Sequence, residues 1–200
     1  YVFAVKDSVL PQLVASLPQC GSESVLMHTA GSIPIGVFGS RSEHCGVLYP
    51  MQTFSKQRMV DFRLIPCFVE GADDHSRRVL LALASSLSER VIEMSSADRR
   101  YLHLAAVWAC NFVNHCYDIT SEVLAARGIP FDVMLPLIDE TASKVHSLTP
   151  REAQTGPAVR FDTNVIGSHI DLMAGSPQQQ QLYKALTESI HNRFSNDKEQ

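Results

Sequence analysis

The stretch 95–128, SSADRRYLHLAAVWACNFVNHCYDITSEVLAARG, decides the reading of this chain. Ser95 and Asp98 stand in the S-x-x-D spacing, in which a hydroxyl and a carboxylate satisfy the orphan amides of a helix start. From Tyr101 to Arg127 there is no Gly or Pro, and Gly128 followed by Pro130 supplies the stop signals. The pattern predicts a single helix of about thirty residues, well beyond the usual length. Its apolar side chains, among them Leu102, Leu104, Val107, Trp108, Phe112, Ile119 and Val123, spread round most of the circumference. Such a helix needs cover on several sides and is expected to be the buried spine of a helical domain.

At about 100° per residue, His103, Val107, Asn111, Asn114, Asp118 and Ser121 fall within one stripe, and His115 borders it. Buried polar groups are hydrogen-bonded, so this stripe is either an internal network or the wall of a ligand site.

Outward from the helix, composition sets the bounds. The chain has 200 residues, 45% hydrophobic and 19% charged, enough to fold without staples. A net charge of -4 and scattered basic residues leave no stripe for nucleic acid. No apolar run approaches the roughly 20 residues of a membrane span. Cys20, Cys45, Cys67, Cys110 and Cys116 are odd in number and lack C-x-x-C spacing, which argues for reduced thiols in a cytoplasm.

Before residue 95 the signals alternate. YVFAV at the start, then SVLMHT (24–29), CGVLYP (45–50), IPCFVEG (65–71) and ERVIEM (89–94) read as short strands. Ser8 to Leu17 reads as a helix with Ser8 at its N-cap and Pro11 in its first turn; Asp74 to Leu87 is an amphipathic helix. Alternation of this kind implies a largely parallel sheet covered on both faces. After residue 95 strand signals vanish, so the domains expected are 1–94, α/β, and 95–200, all-helical. In the latter, Asp132 is expected to cap a helix to about Ser147. Thr149-Pro150 should start a short helix that Gly156-Pro157 ends, Asp162 should cap another, and Ser176-Pro177 should start the last, with SNDKEQ as a frayed tail.

Chemistry is expected at the C-terminal ends of the strands, where ligands of open α/β sheets bind. Three polar loops occupy such places: Lys6-Asp7-Ser8, His28-Thr29-Ala30-Gly31-Ser32, and Tyr49-Pro50-Met51-Gln52-Thr53-Phe54-Ser55. The second offers backbone and hydroxyls to a ribose or phosphate, and Gln52 and Thr53 in the third offer amide and hydroxyl donors; each is otherwise an ordered turn.

FAVKDSVLPQL and VLMHTAGSIP resemble consecutive stretches of pyrroline-5-carboxylate reductases, and the order of the following elements repeats theirs. The runs HTAGS, YPMQTFS, RRYLHLAAVWACNFVNH and PREAQTGPAVR resemble more closely a branch of that superfamily, NADP oxidoreductases in which a Rossmann-like domain is fused to a helical one. The resemblance runs from Tyr1 to about Met173. It implies NADP as cofactor, with NAD possible, and a small-molecule substrate in the cleft between the domains. It also implies Ala4, Val5, Lys6, His28, Thr29, Gly31 and Ser32 around the cofactor, and a homodimer through the helical half. The chain contains no G-x-G-x-x-G. On the resemblance, Tyr1 lies at the fourth strand of the Rossmann unit, with roughly seventy residues carrying the phosphate loop ahead of it in the intact protein.

A more distant likeness is to β-hydroxyacid dehydrogenases, whose active-site helix carries K-x-x-N-N. The comparable run here is Asn111 to His115, with Asn111 in place of the Lys. An amide is no general acid, so His103 or His115 is expected to take the proton role. Asn111 and Asn114 are expected to bind substrate. The QTGPAVR run stands where the reductases close a loop on the substrate carboxylate; Arg160 is either that carboxylate's bidentate partner or an ion pair with Asp162 or Glu152. No carboxylate stands at metal spacing to the two histidines, so no metal is expected. The alternative from another class is a dinucleotide-binding sensor or scaffold without turnover, motivated by the missing Lys.

Overall fold

The computed structural model describes residues 1–195. Five strands, β1 (Val2–Phe3), β2 (Leu26–His28), β3 (Cys45–Pro50), β4 (Cys67–Gly71) and β5 (Val91–Glu93), form one sheet in that order. β1, β2 and β3 are parallel, and β4 is parallel to β5, but β3 and β4 pair antiparallel. The sheet is thus largely parallel, as expected, with one antiparallel junction. A parallel crossover needs an element, usually a helix, to carry the chain back along the sheet. The connection 51–66 holds only a short 3₁₀ turn at Phe62–Leu64, and Met51 N–H donates to the Pro66 carbonyl at 2.9 Å, so the chain turns back at the same end.

Helices α1 (Leu10–Ala15) and α2 (Asp74–Leu87) cover the sheet. Consecutive residues of a strand point to opposite faces. Leu26 accordingly joins a cluster with Leu10, Val14 and Phe38, while Met27 joins Leu48, Val69, Leu80 and Ala84. This two-sided burial is why β2 is apolar without alternation. Asp73 caps α2 by accepting from the His75 and Ser76 amides at 2.8 and 3.1 Å. α1 has no side-chain cap; Val9 holds the cap position and the Lys6 carbonyl accepts from the Val9 and Leu10 amides, which corrects the assignment of Ser8. α2 lies so close to the sheet that a Cβ on Gly46 would strike the Leu80 side chain and the Glu70 carbonyl.

From Ser96 to Ala125 the chain is one unbroken helix, as α3 (Ser96–Ala106), a π-helical stretch Val107–Phe112, and α4 (Val113–Ala125). Ser95 accepts from the Asp98 amide at 3.1 Å and its hydroxyl donates to the Asp98 carboxylate at 2.7 Å, the expected entrance. A 3₁₀ turn (Phe131–Met134), α5 (Leu135–Lys144), α6 (Pro157–Arg160), α7 (Thr163–Leu172) and α8 (Pro177–Ser195) follow. Asp132 sits inside the 3₁₀ turn and caps nothing. Thr149 and Glu152 bond to one another but make only a turn, and Gly156-Pro157 opens α6 where it was expected to close a helix. Pro suits a first helical position because its missing N–H would have no partner there. Asp162 caps α7 and α8 starts at Pro177, as expected. Of the expected tail, residues 196–200 lie outside the described residues, and Ser195 ends α8.

By packing, the chain divides into Tyr1–His115 and Cys116–Gln200. α3 and the π stretch thus belong with the sheet. Within the second unit, the Phe161 ring stacks on His191 at 4.1 Å and Arg151 lies over Phe194 at 5.1 Å. Ala158 and Thr187 are the only buried residues of that unit among those described.

Candidate functional site

Because β1, β2 and β3 are parallel, the loops that follow them emerge on one edge of the sheet. Ser32 in the second loop donates a short hydrogen bond to the Asp7 carboxylate in the first. Beneath them His28 is wholly buried, its ring 5.6 Å from Phe38. Its Nδ1 accepts from the Ala30 amide at 3.2 Å, which places the ring proton on Nε2. Burial, with Arg99 nearby, lowers its pKa to about 4, so it is neutral at physiological pH. His28 was expected to line a ligand site; the structure makes it a core residue that shapes the loop.

The third loop and the long helix meet the second at one point. Tyr49 Oη and His103 Nδ1 are 3.3 Å apart, and the two rings meet edge-on at 6.2 Å. A Cβ added to Gly31 would lie 2.6 Å from His103 Nδ1 and 2.9 Å from Tyr49 Cζ, so only Gly lets the loop pass. Burial raises the Tyr49 pKa, opposed by Arg99, and the phenol stays protonated at neutral pH.

His103 is held there by the turn before it. Arg99, 1% exposed, donates to the Glu70 carboxylate at 2.6 Å and to the Ile33 carbonyl at 2.7 Å. Ser96 Oγ accepts from the Ile35 amide at 2.9 Å and donates to Glu70 at 2.6 Å. These bonds tie the start of α3 to β4 and to the loop after β2. Tyr49 and the Arg99–Glu70–Ser96 cluster were not singled out from sequence. Periodicity is blind to single long-range pairs; the one signal was an Arg in the first turn of a helix, where the macrodipole disfavours cations.

Along this wall runs a groove of about 610 Å³. Tyr49, Gln52, Thr53, His103 and Asn111 supply its polar groups, so four of the expected site residues share one groove. Asn114 and His115 do not line it and are exposed, as is Asp118, against the expectation of a buried stripe. Residues 111–116 are all exposed, Asn111 included, so the helix lacks cover there on every side, and the π stretch adds a change of phase. An i→i+5 turn takes about one more residue than an i→i+4 turn. A stripe drawn at about 100° per residue therefore loses phase beyond Phe112. Ala4, Val5 and Lys6 are exposed on the loop after β1, and Thr29 is half-buried. Arg160 is exposed at the end of α6 in the second unit. Its two expected carboxylate partners are otherwise engaged, Glu152 with Thr149 and Asp162 with the Val165 amide.

A family model described as a domain of unknown function (DUF2520) matches residues 65–190. Among solved structures, the chain is similar to the putative NADP oxidoreductase BF3122 from Bacteroides fragilis, with a TM-score of 0.92 and 51% identity over 96% of this chain and 74% of that one. Protein TM1727 from Thermotoga maritima matches with a TM-score of 0.81 and 19% identity, over 96% and 77% of the two chains. An NADH-preferring ketol-acid reductoisomerase from an uncultured archean matches with a TM-score of 0.53 and 16% identity, over 98% and 65%. The last two share the fold alone. No curated protein matches. The architecture is a Rossmann-like α/β sheet followed by an all-helical region.

Proposed function

This chain belongs to the DUF2520 family, and from that premise we propose that it is an NADP-dependent oxidoreductase of the pyrroline-5-carboxylate reductase type, acting on a small carboxylate-bearing substrate. NAD is the second nucleotide to test. The reading is carried by the meeting of Gly31, Tyr49 and His103 where three parallel strands end, at the head of a groove.

Gly31 lets the loop after β2 pack directly against the His103 and Tyr49 rings, and the half-buried Thr29 and exposed Ser32 are the groups this loop offers a dinucleotide. Ala4, Val5, Lys6, Thr29, Gly31 and Ser32 would hold the nicotinamide half, with His28 supporting them from the core. The reduced nucleotide NADPH, when bound, would supply the hydride and be left as NADP⁺. Tyr49 Oη, 3.3 Å from His103 Nδ1, orients the ring, and His103 as imidazolium hands its Nε2 proton to the reduced carbonyl or imine and is left as neutral imidazole. His103 takes this role in preference to His115, which lies off the groove. Gln52, Thr53 and Asn111, which line the groove, orient the substrate.

Full-length protein is expected to oxidise NADPH with at least one member of a panel of keto and imino acids. His103→Gln should lower kcat at least tenfold while moving the melting temperature by only a few degrees, since such a change on a partly exposed surface is usually worth about 0.5 kcal/mol or less. Tight NADPH binding with no oxidation on any member would support the non-catalytic sensor or scaffold instead.

We also propose a cytoplasmic homodimer associating through the helical unit. Leu172, Leu137 and Val133 are 72%, 60% and 54% exposed, more apolar surface than a lone unit of this kind usually shows. All five cysteines are free, and no described helix is long and apolar enough to cross a membrane. Light scattering at micromolar concentration should give twice the chain mass.

A further inference from the structure

The groove at His103 has a polar head and an uncharged body. Beyond Tyr49 and His103, its walls are Met51 and Phe54 on one side and Leu102, Ala106, Val107 and Ala109 on the other. Among the described residues no Lys, Arg, Asp or Glu lines it. Arg99, the cation nearest its head, is buried behind the wall and paired with Glu70.

A carboxylate or phosphate entering the body of this groove would lose water and meet no cation, only the neutral donors Gln52, Thr53 and Asn111, which disfavours it. An alkyl or aryl chain would instead cover apolar wall, which favours binding in proportion to the area covered. The alanines matter here, because their small side chains on the helix leave room that Leu or Val would occupy.

We propose that the substrates of this site are 2-oxo or 2-imino monocarboxylates with an apolar tail, the reacting atom at His103 and the tail lying along Ala106 and Ala109. This rests on the groove being the substrate site; it adds that the tail is uncharged and that the small side chain of Ala109 leaves room for it. A second acidic group, as in a dicarboxylate, is rejected.

The test uses full-length protein and straight-chain 2-oxo monocarboxylates of three to eight carbons, with 2-oxo dicarboxylates of matched length. Binding is read from the His103 imidazole resonances, and turnover is read separately as NADPH oxidation. Kd should fall about fourfold for each added methylene until the groove is filled, the ratio expected for burying a CH₂. Each dicarboxylate should bind at least tenfold more weakly than the monocarboxylate of its length. Ala109→Leu should remove the gain for the longest members and leave the three-carbon acid within twofold. A Kd independent of chain length overturns the proposal, as does tighter binding of the dicarboxylates, or a groove so covered by a second copy that no member shifts the His103 signals. Binding with the expected length dependence but without NADPH oxidation removes the oxidoreductase reading and leaves this one standing.

Discussion

The two units differ in what they bury. In Tyr1–His115 the sheet is closed by α1 on one face and α2 on the other, and even its charged Arg99 is sealed and paired. In Cys116–Gln200 only Ala158 and Thr187 are buried among the described residues, and apolar side chains such as Leu137 and Leu172 face outward. A unit of the first kind gets its stability from within the chain, whereas one of the second kind has apolar surface to gain from association. The groove and His103 are built entirely on the self-sufficient unit, where positions are fixed by packing.

The largest effect should follow removal of Arg99. Arg99→Met leaves the Glu70 charge uncompensated and takes a donor from the Ile33 carbonyl, and breaking a buried pair costs about 3–5 kcal/mol. Urea unfolding would read it; a loss under about 1 kcal/mol would mean the clamp is not what holds α3 to the sheet.

Acid should act on the same unit next. His28 has a folded pKa of about 4 against an unfolded value of 6.5, so below pH 6.5 the unfolded chain takes the proton first. Its contribution is complete above pH 6.5 and falls away as the pH drops through 4, about 3 kcal/mol in all. His28→Asn should flatten that part of the stability profile, and a profile unchanged by the substitution would place the acid sensitivity elsewhere.

Gly31→Ala comes third. The new Cβ forces His103 and Tyr49 apart, an overpacking worth about 1–3 kcal/mol. The His103 imidazole resonances should move, and unchanged resonances would show that the loop yields and the ring does not. Smallest, and opposite in character, is Leu172→Ser in the second unit. At 72% exposure it should alter unfolding of the dilute chain by about 0.5 kcal/mol or less. It should nonetheless weaken self-association measured by sedimentation on dilution. A large change in melting with unaltered association would reverse the contrast between the units.

Much of the architecture was legible from residue pattern because it is set locally. All five strands, the span of α2, the entrance and exit of the long helix, and the starts of α7 and α8 follow from apolar periodicity and from Ser, Asp, Pro and Gly at element ends. The four expected residues that share the groove were legible for a related reason: loops after parallel strands and polar positions on a helix face have few places to go. Tertiary structure alone decided the rest. The reversal of β4, the burial of His28 and the Arg99–Glu70 pair each depend on residues distant in the chain, about which neighbouring letters carry no information. The π stretch at Val107–Phe112 belongs with them. A wheel drawn from sequence assumes constant turn, and the widened turn at Val107–Phe112 shifts the phase, so Asn114 and His115 do not share the wall that carries His103 and Asn111.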